Sequence, residues 1–272
     1  SYAGNTDTLE LITVNPKKHT LTTTAIPRDT LVRVETKNKI EYTKINAAYA
    51  LGGPREIKKQ VHELLDVPVD YYALVNMGGL EKTVNAVGGV TVNNPFAFKY
   101  EGHTYPKGKQ YLNGSEALGY SRMRYDDPDN DYGRQKRGQQ VLLSALTKVN
   151  KSKNIMQMNS LLDTAKDNVR TDLPLDDLMT LYKNYHGALA DTQSDHLQGK
   201  NATIDNFSFQ IAPNWEMQRL SDNTRQALGL TKVKVNNIQT KMNDMQTNWN
   251  GYNNVNYVLP NNAQVYIPVN KV

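Results

Sequence analysis

Between Thr8 and Pro95 the chain alternates short apolar runs with segments of helical period, and that alternation restricts the fold more than any single motif. Residues 8–14 and 21–26 read as two strands joined by a turn around Asn15-Pro16-Lys17-Lys18. Residues 44–53 are small and apolar and end on a glycine stop. Ile57, Val61, Leu64 and Leu65 then mark an amphipathic helix after Pro54. Residues 67–77 read as a strand that takes Tyr71 and Tyr72 into the core, 80–87 as a helix, and 89–92 as a strand closed by Asn93-Asn94-Pro95. The pattern predicts an α/β protein, a sheet with helices on both faces.

With 272 residues the chain has length for one large or two small domains and a substantial core. Its 38% apolar content and mean hydropathy of −0.65 are polar, but the periodic apolar segments argue against wholesale disorder. A net charge of +5 favours anionic partners. Cysteine is absent, which excludes disulfides, thiolate nucleophiles and thiolate-bound metals. No run of 18 apolar residues crosses a membrane within these residues. Because strand character begins within a few residues of Ser1, an N-terminal segment of the natural protein is expected to precede it.

The most charged part is residues 113–149. Asn113-Gly114 is a turn signal, and Ser115-Glu116-Ala117-Leu118 suits a short helical turn. Tyr120, Arg122 and Arg124 alternate with Ser121, Met123 and Tyr125, which on an extended segment puts both guanidinium groups on one face. An acidic loop with Asp126, Asp127, Asp129 and Asp131 follows. From Gly133 the pattern turns helical, with Val141, Leu142, Ala145, Leu146 and Val149 on one stripe and Arg134 and Gly138 on its side. An inward arginine at a helix N-terminus makes sense where an anion sits. A solvated charged loop is the competing reading. Arg28, emerging where a strand ends at Pro27, is placed like a ligand-handling side chain, or pairs with Asp29 at a turn.

Elsewhere, residues 96–112 suggest a polar hairpin, 156–169 and 173–188 helices, 203–211 a strand and 217–228 a helix. Beyond Lys232 asparagine and glutamine rise. The expected domains are 1–229 and an Asn-rich extension over 230–272, a strand pair (255–259 and 265–269) or a linker. No glycine-rich phosphate loop, zinc-type histidine pair or GxSxG elbow is present, and the five histidines are scattered. Arginines that fork around a diphosphate, with aspartates able to hold magnesium beside it, are the chemistry that remains.

Thr6-Asp7-Thr8, Ile26-Pro27-Arg28-Asp29, Lys44-Ile45-Asn46-Ala47-Ala48-Tyr49-Ala50-Leu51-Gly52-Gly53, Val69-Asp70-Tyr71-Tyr72, Val87-Gly88-Gly89-Val90, Leu112-Asn113-Gly114 and Arg122-Met123-Arg124 through Gly133-Arg134 occur in that order. In this the chain closely resembles the LytR–CpsA–Psr family over roughly residues 5 to 229. The resemblance implies a central mixed β-sheet flanked by helices on both faces, a three-layer α-β-α fold with a hydrophobic tunnel for a lipid tail. It implies a magnesium-dependent phosphotransferase of Gram-positive bacteria, held on the outer face of the cell membrane by an N-terminal helix. Such an enzyme moves a glycopolymer (wall teichoic acid, capsule or similar) from a polyprenyl-pyrophosphate carrier to a peptidoglycan sugar hydroxyl. Pyrophosphatase side activity and no nucleic-acid partner are part of that expectation.

Carried over by motif, Asp7 is expected to hold Mg2+ or to act as the base near it. Arg28, Arg122, Arg124 and Arg134 are expected to grip the diphosphate. Lys44, Arg137 and Gln139 are further substrate-binding candidates, and Ala145 is one for the lipid. Three departures stand out. Asn5 takes the place of an arginine two residues before Asp7, and Gly138 takes that of a glutamine after Arg137. A further family aspartate falls before Ser1. The alternatives are a non-catalytic cell-wall or lipid-diphosphate binding module and a regulatory protein, and no helix-turn-helix or basic helical stripe supports nucleic-acid binding.

Overall fold

The computed structural model describes residues 7–151, 161, 163, 164, 166–249 and 257–268. In chain order come strands β1 (Leu9–Asn15), β2 (Thr20–Ile26), β3 (Leu31–Glu35) and β4 (Ile40–Lys44), then helix α1 (Ile45–Leu65). There follow β5 (Ala73–Val75), α2 (Met77–Ala86), β6 (Val90–Asn94), β7 (Phe98–Tyr100), β8 (His103–Tyr105) and β9 (Gly108–Leu112). Next are α3 (Gly114–Arg122), α4 (Asn130–Lys151), β10 (Val169–Thr171), α5 (Leu175–Tyr185) and β11 (Asp191–His196). The chain closes with β12 (Lys200–Ile204), β13 (Phe207–Ile211), α6 (Asn214–Leu228) and α7 (Ile238–Asp244).

The mixture of helix and strand is as expected. Among the described residues, however, the strands pair as one three-stranded sheet, β1-β2-β11, and five two-stranded ones, not as one continuous central sheet. Two compact units account for the chain: Ser1–Thr13, Thr24–Tyr72 and Asp195–Val272 form the first, Val14–Thr23 and Ala73–Ser194 the second.

In the first unit, Ile26, Val32 and Val34 pack with Ile45, Ile57, Val61, Leu64 and Leu65 of α1 and with Met217 and Leu220 of α6. The apolar spacing read from residues 57–65 is therefore the buried stripe. α1 is broken at Gly53 (φ 66°, ψ −159°), a conformation open essentially to glycine, and Pro54 restarts the helix. Residues 203–211, expected as one strand, are the β12–β13 hairpin. Asp205 and Asn206 turn it with positive φ, a pair suited to two-residue hairpins. Arg219 of α6 forks onto Asp195 at 2.9 and 3.0 Å and onto Glu216 at 2.8 Å, fastening α6 to the end of β11.

Residues beyond 229 join this unit. Met242, Trp249, Tyr257 and Leu259 cluster with Leu31, Tyr42, Phe209 and Ile211. Their asparagines act as caps. Asn237 caps α7 and donates to the Glu63 and Leu64 carbonyls at 2.9 Å, closing the last turn of α1. Of the expected strand pair, 255, 256 and 269 lie outside the described residues. The described part holds a 3-10 turn (Pro260–Asn262) and a bridge from Val265 to Tyr42.

In the second unit, Val84, Val90, Val92, Phe98, Tyr105, Leu112, Ala117, Tyr120, Met123 and Val141 form the core. β6 pairs with β9 from Val90↔Leu112 to Asn94↔Gly108. Side chains of α4 also accept from β6: Thr91 N–H donates to Ser144 Oγ (2.8 Å) and Asn93 N–H to Gln140 Oε1 (2.9 Å). This satisfies strand donors without a further strand. Residues 96–112, expected as one hairpin, make the β7–β8 hairpin and then give β9 to β6.

Two further expectations are corrected. Of residues 67–77 only Ala73–Val75 is strand, paired with β10, and Tyr71 is 45% exposed instead of core. Residues 120–122 are helical. A capping box between Asn113 and Glu116 starts α3, and the helix runs on through Arg122. α4 begins at Asn130, three residues before Gly133. In the helix expected over 156–169, residues 156–160, 162 and 165 lie outside the described residues, and 166–168 are helical.

Candidate active-site residues

In the first unit β2 ends at Ile26, and Pro27 holds the chain extended into a tight turn. Thr30 closes that turn by donating from Oγ1 and N–H to the Pro27 carbonyl, at 2.6 and 3.0 Å. The Arg28 carbonyl accepts from Asn46 N–H (3.2 Å) and the Asp29 carbonyl from Gln210 N–H (2.9 Å), so the backbone here is pinned on both sides. From this turn Arg28 reaches Asp7 through Nη1 at 3.3 Å and lies 3.9 Å from Asp29 through Nε. Lys44, the last residue of β4, donates to Asp29 at 2.9 Å and sits over the Phe209 ring. Two cations and two carboxylates thus form one chain of contacts.

Of the two sequence readings of Arg28, the approach to Asp29 is seen at 3.9 Å, and the side chain does leave the chain just beyond the end of β2. Asn46, in the first turn of α1, is a residue that the sequence reading quoted but did not assign. Its Oδ1 is buried with no hydrogen-bond partner beside this cluster's backbone. The signal was a polar amide between Ile45 and Ala47 in an otherwise apolar helix start.

In the second unit the arginines separate. Arg122, at the C-terminus of α3, pairs with Glu101 at 2.9 Å. Arg124 lies 3.9 Å from Asp131, and Arg134 donates to the same carboxylate oxygen at 2.9 Å. The common strand face expected for Arg122 and Arg124 is absent because α3 includes the first of them. What is brought together is Arg124 with Arg134, two guanidiniums at one oxygen of the Asp131 carboxylate. Burial opposes ionisation of Asp131, but the hydrogen bond and charge of Arg134, with help from Gln135 and Arg124, hold its carboxyl below the ordinary range.

Arg137, expected to bind substrate, faces inward. It is 1% exposed, and its guanidinium donates to the Asp127 carboxylate and to the carbonyls of Tyr120 and Met123. Gln139 is buried in α4 as well, and Ala145 is half-buried against the core of this unit. Gly138 opens onto free space: a Cβ built there meets nothing within 4 Å.

Among the described residues no group of three or more His, Cys, Asp or Glu side chains is placed to hold a metal ion. Arg28 does gather two carboxylates, Asp7 and Asp29. That donor set suits magnesium, which completes its shell with phosphate oxygens and water and needs no all-protein cage.

The fold is a mixed α/β one in which two guanidiniums, Arg124 and Arg134, stand against one carboxylate, an arrangement with the chemistry to suit a phosphate-type anion. The chain belongs to the LytR_cpsA_psr family, whose model matches residues 1–226. It is 36% identical over 225 residues to the polyisoprenyl-teichoic acid–peptidoglycan teichoic acid transferase TagU of Enterococcus faecalis, which covers 83% of this chain and 74% of that relative. The crystal structure of B. subtilis TagU matches with a TM-score of 0.66 at 33% identity, covering 84% of this chain and 94% of that one. The structure of TagT bound to LIIa-WTA matches with a TM-score of 0.70 at 27% identity, covering 83% and 86%.

Proposed function

We propose that this protein transfers a cell-wall glycopolymer of the teichoic-acid type from a polyprenyl-diphosphate carrier to a peptidoglycan sugar hydroxyl. The observation that carries the reading is the Arg124–Asp131–Arg134 cluster, two guanidiniums gathered at one carboxylate in a chain that resembles TagU over most of its length. In the reaction the sugar hydroxyl oxygen bonds to the phosphorus that bears the glycopolymer. The bond from that phosphorus to the bridging oxygen breaks, and polyprenyl phosphate leaves. Arg124 and Arg134 are assigned to the diphosphate oxygens, where charge grows as the bond breaks and a preformed guanidinium pair stabilises it. Magnesium, when bound, neutralises phosphate charge, and Asp7 with Asp29 would hold it.

Asp7 is assigned as well to the hydroxyl proton, which its carboxylate accepts as the new phosphorus–oxygen bond forms. Water in place of the sugar hydroxyl gives hydrolysis, which is the source of a pyrophosphatase side activity. A peptidoglycan acceptor is the support for assigning the protein to the outer face of the cell membrane of a Gram-positive bacterium. No helix among the described residues is long and apolar enough to cross a membrane.

The test incubates the protein with a polyprenyl-diphosphate-linked saccharide, peptidoglycan oligosaccharides and magnesium, and weighs the products by mass spectrometry. A phosphodiester-linked saccharide on the acceptor, lost with a chelator, is expected. Tight binding of the donor with no product over many hours would instead leave a binding module.

A further inference from the structure

Arg137 carries a full charge into the core of the second unit, yet it touches no solvent. Its Nε donates to the Tyr120 carbonyl at 2.9 Å, and its two terminal nitrogens reach the Met123 carbonyl and the Asp127 carboxylate. The rings of Phe98 and Tyr120 stand 5.5 and 5.8 Å from its carbon. Asp127 is only 6% exposed, and a side chain at Gly133 would overlap its carboxylate, so glycine is required there. Burying such a pair is costly, and an apolar pair of similar volume is often as stable. Stability alone is a weak reason for it.

The contacts show what else it does. Met123 C=O belongs to the peptide that joins Met123 to Arg124, and Arg137 holds that oxygen. Asp127 N–H donates to the Arg124 carbonyl at 3.3 Å, while its Oδ1 accepts from Asp129 N–H at 2.8 Å. Arg124 is therefore fixed through the peptides on both of its sides, each tied to the same buried pair. The chain after α3 has no regular structure until Asn130, so the direction in which Arg124 leaves the backbone depends on such bonds. The Met123 N–H bond to the Gly119 carbonyl, the buried Met123 side chain and the 3.9 Å approach to Asp131 act together with them.

We propose that Arg137 and Asp127 are positioning residues, which aim Arg124 at the diphosphate without touching it themselves. This rests on the reading that Arg124 binds the diphosphate. Loss of the pair frees the 123–124 peptide to rotate, so Arg124 spends most of its time away from the productive direction. Lysine at 137 keeps the charge but cannot bond three oxygens in a planar fork.

The test is a set of double-mutant cycles on kcat/KM for the transfer, in the full chain. Arg124→Ala is expected to cost about 100-fold, the scale of losing one preorganised donor. Arg137→Lys and Asp127→Asn are each expected to cost about 10-fold or more. Each should add less than about 3-fold when Arg124 is already alanine, because contacting residues that act as a unit are non-additive. Against Arg28→Ala the same changes should multiply. A purely structural pair gives losses that multiply with Arg124→Ala too, and that result overturns the proposal. So does full activity in both Arg137→Lys and Asp127→Asn. If Arg124→Ala itself is harmless, the diphosphate reading of Arg124 falls and the proposal with it. Should Arg137→Lys not fold, the Asp127→Asn cycle, nearly isosteric, decides alone.

Discussion

Asp131 accepts a 2.9 Å hydrogen bond from Nε of Arg134 across the first turn of α4, and this one contact keeps a second arginine, Arg124, within 3.9 Å of the same oxygen. Without the carboxylate two guanidiniums would face each other.

The first prediction follows from that. Asp131 is held below the ordinary carboxylate range, so its folded form is the more acidic one. Its contribution to stability is fully present above the unfolded value of about 3.9 and is lost as pH falls through the lower folded value. Asp131→Asn should be less stable at neutral pH and should lose less on acidification below about pH 4. Urea unfolding of parent and variant at neutral and at acid pH checks this; parallel losses in the two would contradict it.

Arg28 stands in partly exposed pairs, which are worth about 0–1 kcal/mol. Arg28→Ala should therefore leave the melting temperature nearly unchanged while slowing transfer to a low but measurable rate and weakening the stabilisation that added polyprenyl diphosphate gives the parent. Thermal shift with and without the ligand reads both. A variant that melts well below the parent yet still responds to ligand points to a structural role.

Gly138 sits inside a helix and one turn from Arg134, with open space where a side chain would start. Gly138→Gln should raise stability by roughly 0.5–1 kcal/mol through helix propensity alone. If the amide also reaches the diphosphate, the ligand-induced shift should grow as well. A fall in melting temperature would mean that the space is needed.

Ala145 tests the expected lipid path. Filling a closed core with Ala145→Phe would cost about 1–3 kcal/mol. A position lining a lipid path should instead tolerate phenylalanine and bind short-chain diphosphates while losing long-chain ones. Competition between the two chain lengths on this variant tells them apart.

Removing everything after Gly229 should unfold the first unit. It strips Met242, Trp249, Tyr257 and Leu259 from Leu31, Tyr42 and Phe209, and takes the Asn237 cap from α1. Circular dichroism and solubility of the shortened chain give the answer; a folded, soluble product would show the region to be dispensable.

Apolar periodicity was a reliable guide where burial alone decided the outcome. The stripe Ile57, Val61, Leu64 and Leu65 and the strand ending at Ile26 fall where spacing put them, and the strand expected over 89–92 is found at Val90–Asn94. It failed where side-chain hydrogen bonds override period. The Asn113–Glu116 capping box turned an apparent strand through Tyr120 into helix, and Asp205-Asn206 folded one apparent strand into a hairpin. For the site, residue type and position identified Arg28, Arg122, Arg124 and Arg134 as charges worth following, while Lys44 and Arg137 came from the family motif. Residue type could not tell Arg137 from the other arginines, because an arginine bound to backbone carbonyls and one bound to a ligand look alike in sequence. The Asn-rich composition after Lys232 misled for a similar reason: Asn237 and Asn243 are caps and bridges whose partners lie far away in the chain.

The boundary between the units is crossed four times, at Thr13, Thr23, Tyr72 and Ser194. Neither unit is therefore a continuous stretch of chain, and no single cut releases one of them whole. A single crossover between Val14 and Ser194 divides both units, whereas one outside that range divides only the first. A circular permutant or a split reporter made from this protein has to open at a loop tip within one unit, such as Asp205-Asn206. On a ribosome the second unit has all of its segments once Ser194 is out, whereas the first still waits for the segment that begins at Asp195.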